Sequence, residues 1–166
     1  MSASDRPAGQ LLSRLSAVSH RLGQLRTVPP PDGLTAPDEP SGEQWEWGQV
    51  WAHMAEFIPY WMEQIGGILA ADTGRPVPFG RVKTDPERIA AIARDRGRPV
   101  PELWERMLVQ MDDLRRSIEG LTDEDWEKHG EHSTLGVMEM QRIYDVFVVG
   151  HLEQHADQLE GLASAT

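Results

Sequence analysis

Two histidines four residues apart, His151 and His155, sit in the run VVGHLEQHADQLEGL at residues 148–162. On a helix, side chains at i and i+4 project from nearly the same side with origins about 6 Å apart, so one ion can accept an imidazole nitrogen from each. The spacing serves equally well for two polar residues on a wet face, and placement has to decide between the readings. Both histidines fall on a stripe of Met140, Tyr144, Val148, His151, His155, Leu159 and Leu162, the inward side of an amphipathic helix. An imidazole there loses water and needs a partner, which favours metal ligation. His53 is the best third ligand, because it shares the stripe Val50, His53, Phe57, Trp61 of an earlier segment. Its alternative is a core histidine bonded to a backbone carbonyl or to Glu56. Glu56 itself reads as an acceptor behind a ligating histidine, as a catalytic proton handler for water at the metal, or as a solvated surface acid. The chain has no cysteine, so a site must use His, Asp, Glu, water or a bound substrate. Zinc, with nickel second, suits three imidazoles.

Helices must position these groups. Leu11, Leu15, Val18, Leu22 and Leu25 recur at helical spacing, and that helix should end near Arg26. The proline-rich stretch TVPPPDGLTAPDEPSG, residues 27–42, then reads as a long surface crossing. From Glu43 onward a second helix carries His53, with Pro59 in its interior. The proline should kink it and deprive the Ala55 carbonyl of its amide partner. A connection of some thirty residues follows, containing a short helix capped by Asp85 with Pro86 in its first turn and ended by Gly97. A third long helix is marked by Leu103 or Trp104, Met107, Met111, Leu114 and Ile118. The fourth should run from about Leu135 to Leu162, with TLGVMEM as its start. No segment reads convincingly as a strand, so an all-α four-helix bundle is the expected fold.

The remaining histidines read as surface groups: His20 beside the first stripe, and His129 and His132 in the polar run EKHGEHS. Trp61 reads as core. Trp45, Trp47 and Trp51 would either cap the bundle end or build a partner interface. Sixteen Lys and Arg against twenty-seven Asp and Glu give a net charge of -11, which disfavours nucleic acid and anionic membranes as partners. No apolar run reaches the length of a membrane span, and the first ten residues lack the features of a secretion signal. The chain is therefore expected in the cytoplasm.

The segments EWGQVWAHMAEFIPYW and FVVGHLEQHADQLEGL resemble those of the DinB-like, or YfiT-like, superfamily of metal-binding four-helix bundles. The resemblance spans residues 8–163 as one domain and leaves 1–7 and 164–166 as flexible termini. It implies an up-down-down-up helix order with the long crossover between helices 2 and 3, and a divalent metal on His53, His151 and His155. Some relatives are thiol-dependent transferases or isomerases using mycothiol, bacillithiol or glutathione. The leading expectation is therefore a metal-dependent enzyme transferring such a thiol to a small electrophilic substrate. Arg81, Lys83 and Arg88 in the crossover would bind the charged cofactor. A metal-dependent hydrolase and a non-catalytic metal-binding stress or interaction module are the alternatives. The family's habit of pairing also implies a homodimer.

Overall fold

The computed structural model describes residues 7–39 and 41–165. Four long helical segments form the bundle: α1 (Pro7–Leu25), α2 (Trp47–Ala70), α4 (Val100–Glu119) and a composite last segment. That last segment is α6 (Met140–Tyr144), one π-helical stretch (Asp145–Val149) and α7 (Gly150–Ser164). The apolar stripes form the core: Leu11, Leu15, Val18, Leu22 and Leu25 of α1 are all buried, as are Met107, Met111, Leu114 and Ile118 of α4. α1 packs on α4 and α7, and α2 packs on the same two helices. Consecutive α1 and α2 therefore lie on a diagonal, and the chain runs up-down-down-up, with residues 71–99 as the crossover. The termini expected to be flexible fall partly outside the described residues; Pro7 already opens α1 and Ser164 closes α7.

The crossover contains α3 (Pro86–Asp95), whose start is capped as the sequence implies: the Asp85 carboxylate accepts the Arg88 amide at 2.9 Å, with Pro86 in the first turn. α3 ends at Asp95, two residues before Gly97. Pro59 does leave the Ala55 carbonyl without a helical amide, and the Gln110 side chain of α4 supplies a donor at 3.0 Å. α2 thereby continues unbroken through the proline.

The structure corrects the strand-free expectation. β1 (Val77–Phe79), β2 (His129–His132) and β3 (Gly136–Glu139) form a small sheet in that order. β1 pairs with β2 in parallel, placing Phe79 opposite His132, and β2 pairs antiparallel with β3, placing His132 opposite Gly136. The sheet lies on α2, where Gly130 lets Phe79 and Ile68 approach its backbone. TLGVMEM is thus a turn and a strand, and the last helix starts at Met140 rather than near Leu135. Between α4 and the sheet, Thr122 starts α5 (Asp123–Trp126). Trp45, Trp47 and Trp51 are 8, 2 and 0% exposed, so they pack inside the chain and offer no aromatic face to a second copy. Among the described residues, no helix is long and apolar enough to cross a membrane.

Candidate metal centre

α2 brings His53, and α7 brings His151 and His155, to one point in the bundle interior. Their ring centroids are 5.2, 5.0 and 4.5 Å apart, and one nitrogen from each lies within 4.8 Å of the others. The other side of the rings is tied to the protein. His53 Nδ1 donates to Glu56 Oε1 at 2.8 Å, His155 Nδ1 donates to Gln158 Oε1 at 2.7 Å, and His151 bonds the Phe147 backbone. A carboxylate or amide oxygen can only accept, so His53 and His155 carry their protons on Nδ1 and present bare Nε2 lone pairs.

Burial, reinforced by mutual repulsion among the rings, drives His53 and His151 well below the ordinary imidazole value; burial takes His155 to about 4. All three are consequently neutral near pH 7, the form that ligates. His155 Nε2 is fully buried with no hydrogen-bond partner among the described residues. A buried lone pair in that position requires a donor or a cation, and one facing two other imidazole nitrogens fits a divalent ion. Three neutral imidazoles on one ion would leave a coordination position open to a further group.

Aromatic rings fix the cluster sideways. Phe57 stacks on His151 at 4.4 Å, and Trp45 stacks on His155 at 5.7 Å while meeting His53 edge-on at 4.6 Å. Trp45 reaches this place because the α1–α2 linker doubles back. Thr35 N–H donates to the Trp45 carbonyl at 2.8 Å, and Trp45 N–H donates to the Thr35 hydroxyl at 3.0 Å.

A cavity of about 250 Å³ opens onto the three imidazoles. Trp61, Val82 and Phe147 give it an apolar wall, and Arg81, Lys83 and Arg88 all reach it. Each of those cations already has a carboxylate: Arg81 pairs with Glu56, Lys83 with Asp38, and Arg88 with Glu43 at 3.1 Å. Of the roles open to Glu56, its contacts are those of an acceptor behind the His53 ring. Both its oxygens are occupied, Oε1 by His53 and both by Arg81 Nη2 at 2.6 and 2.7 Å, so it stands behind the His53 ring and does not line the cavity. Burial raises its carboxyl pKa, and Arg81 opposes that rise.

The other histidines lie elsewhere. His20 is exposed and meets Gln24 at 3.3 Å, His129 opens β2, and His132 is buried at 5% exposure, against the surface position expected for it. Gln158 was not anticipated, yet the sequence carries a signal for it. The acceptors Glu56 and Gln158 each follow a ligand candidate by three residues, the helical interval that puts them beside its ring.

The family model described as the DinB superfamily matches residues 9–159. No protein of curated function matches the chain significantly. In fold the chain is similar to YfiT from Bacillus subtilis, described as a probable metal-dependent hydrolase with an unusual four-helix bundle topology. The TM-score is 0.76 at 16% identity, over 99% of this chain and 89% of that one. A mycothiol-dependent maleylpyruvate isomerase gives a TM-score of 0.65 at 14% identity, over 96% of this chain but 63% of the isomerase. An uncharacterized protein from Clostridium difficile 630 gives 0.60 at 12% identity, over 93% and 94% of the two chains.

Proposed function

The chain belongs to the DinB superfamily, and from that membership and its own site we propose that it is a divalent-metal-dependent enzyme joining a low-molecular-weight thiol to a small electrophilic substrate. The observation that carries the reading is the cavity of about 250 Å³ that opens directly onto His53, His151 and His155. A metal site serving binding or folding alone has no need of space for a reactant. The three histidines would hold zinc or nickel, which favours the thiolate form of a thiol within reach. Lys83 and Arg88 stand at the cavity where they can hold the anionic part of such a thiol, exchanging Asp38 and Glu43 for it. Trp61, Val82 and Phe147 offer the electrophile an apolar wall. The cavity is at the small end for ligand sites, so the reactants enter by their reactive ends. The sulfur forms a bond to the electrophilic carbon, the thiol proton passes to solvent, and in a substitution the departing group leaves with its bonding pair. Likeness in fold to a mycothiol-dependent isomerase supports thiol use.

Hydrolysis of a small neutral substrate is the second reading. It is favoured by the prior pairing of all three cavity cations with carboxylates, which leaves little net attraction for an anion, and by likeness in fold to YfiT. One experiment separates the two. Zinc- or nickel-loaded protein is given a panel of electrophiles with mycothiol, bacillithiol or glutathione in turn, and thiol consumption is followed. Transfer requires consumption that disappears in His53→Ala; turnover in thiol-free buffer that also needs His53 establishes hydrolysis instead.

A further inference from the structure

A file of four residues joins the sheet to the histidine cluster: His132, Arg81, Glu56 and His53. At its outer end, His132 Nδ1 accepts the backbone N–H groups of Thr134 at 3.3 Å and Leu135 at 3.4 Å. The ring proton must therefore sit on Nε2, which donates to the Arg81 carbonyl at 3.2 Å. Gly80, at φ +89°, permits that approach; a Cβ there would stand 2.6 Å from His132 Cδ2.

Arg81 then turns inward. Its guanidinium carbon lies 3.8 Å from the centroid of the Tyr60 ring, and its Nη2 meets both oxygens of Glu56 at 2.6 and 2.7 Å. The side chains of Arg81 and Glu56 are 8 and 7% exposed, so each is held mainly by its protein partners. Glu56 completes the file by accepting from His53 Nδ1 at 2.8 Å.

We propose that Arg81 is a positioning residue of the metal centre: held by Tyr60 and His132, it pins the Glu56 carboxylate against His53 and does not grip a cofactor. The proposal rests on the reading of His53 as a ligand. Its physical basis is orientation. A carboxylate that fixes the far nitrogen of a ligating imidazole sets the angle at which the near nitrogen meets the ion. A buried carboxylate released from its counter-ion has no fixed geometry of its own. Arginine suits the place because a flat guanidinium can stack on Tyr60 while reaching both oxygens, whereas lysine supplies only the charge.

The test measures zinc affinity by chelator competition and the absorption spectrum of the cobalt(II) form, in the full chain, with folding checked by circular dichroism. Arg81→Gln should weaken zinc about tenfold and alter the cobalt spectrum, the size usual for groups behind a ligating histidine. Arg81→Lys should recover part of that loss. Because Arg81 acts through Glu56, adding Arg81→Gln to Glu56→Gln should cost less than about twofold more. Losses that multiply fully in the double variant overturn the proposal, as does wild-type zinc affinity in Arg81→Gln while His53→Ala abolishes binding. If His53→Ala binds zinc normally, the ligand reading fails and the proposal with it. Should Arg81→Gln not fold, Tyr60→Leu withdraws only the stacking face; about threefold weaker zinc is expected from it, and an unchanged affinity rejects the role.

Discussion

Replacing His155 by leucine interrogates the site without any substrate. The residue is 4% exposed, its Nδ1 bonds Gln158 at 2.7 Å, and its Nε2 is buried without a partner among the described residues. In the metal-free chain that unpaired nitrogen costs about 2 kcal/mol. Leucine removes the cost and returns about 1 kcal/mol through added apolar burial. Against this stand about 1 kcal/mol for the Gln158 bond and about 1 kcal/mol for stacking on Trp45, whose ring lies 5.7 Å away at 11°. The metal-free variant should therefore be about 1 kcal/mol more stable than the parent, near 3 °C in Tm for a chain of this size. Zinc at a thousand times its Kd adds about 4 kcal/mol to the parent and almost nothing to a variant left with two imidazoles. The order of the melting temperatures should invert between chelator and excess zinc. Thermal unfolding followed by circular dichroism reads both. A variant melting below the parent in chelator would show that Nε2 carries no such burden, and equal zinc-induced shifts would remove His155 from the ligand set.

Three further outcomes follow from other parts of the structure. Asp95 is 1% exposed, and Arg94 first, with Arg106 and Arg98, holds its carboxyl well below the usual carboxylate range. Its stabilisation is complete above the unfolded value near pH 4 and is lost as pH falls from there toward the folded value. Asp95→Asn should thus cost about 3 kcal/mol at pH 7, with the gap narrowing below about pH 4 in urea unfolding; a gap independent of pH refutes it. At Gly150, an added Cβ would stand 2.2 Å from the Asp145 carbonyl oxygen that the Gly150 amide bonds in the π-helical turn. Gly150→Ala should lower stability by about 2 kcal/mol and weaken zinc through the adjoining His151, so unchanged melting and affinity would contradict it. Gln110→Leu strips the buried Ala55 carbonyl of its 3.0 Å donor, and urea unfolding should register a loss of about 2 kcal/mol, with no loss showing that water replaces the amide.

What the sequence made legible is what helical periodicity controls. Leu11 to Leu25, Met107 to Ile118 and Met140 to Leu162 announce their buried faces through recurrence at three and four. The same periodicity fixes the direction of any histidine on those stripes, so His53, His151 and His155 could be brought together before any coordinates. Strands of three or four residues such as Val77–Phe79 and His129–His132 are too short to display a period of two. His132 therefore read as a surface histidine. The π-helical turn at Asp145–Val149 is also silent, since one widened turn leaves the apolar spacing on either side intact. The partnership of Arg81 with Glu56 spans 25 residues and follows from no local rule.

Part of the cavity wall is supplied by two connections between the helices. The α1–α2 linker contributes Thr35, Asp38, Glu43 and Trp45, and the crossover contributes Arg81, Lys83 and Arg88. Ion pairs Lys83–Asp38 and Arg88–Glu43 join them, while Arg88 donates to the Lys83 carbonyl at 2.9 Å and lies 5.2 Å from the Trp45 ring centroid. Charges of the two connections thereby become walls, because each connection provides the counter-ions of the other. Proline supports this arrangement: a linker that cannot form helix runs extended, and its extended backbone allows Thr35 and Trp45 to exchange hydrogen bonds and set an indole against His155. The placing of the three histidines thus depends on helix phase, whereas the access to them depends on how two loops pair. Substitutions at Asp38 or Glu43 should consequently alter which molecules reach the histidines before they alter the affinity for metal.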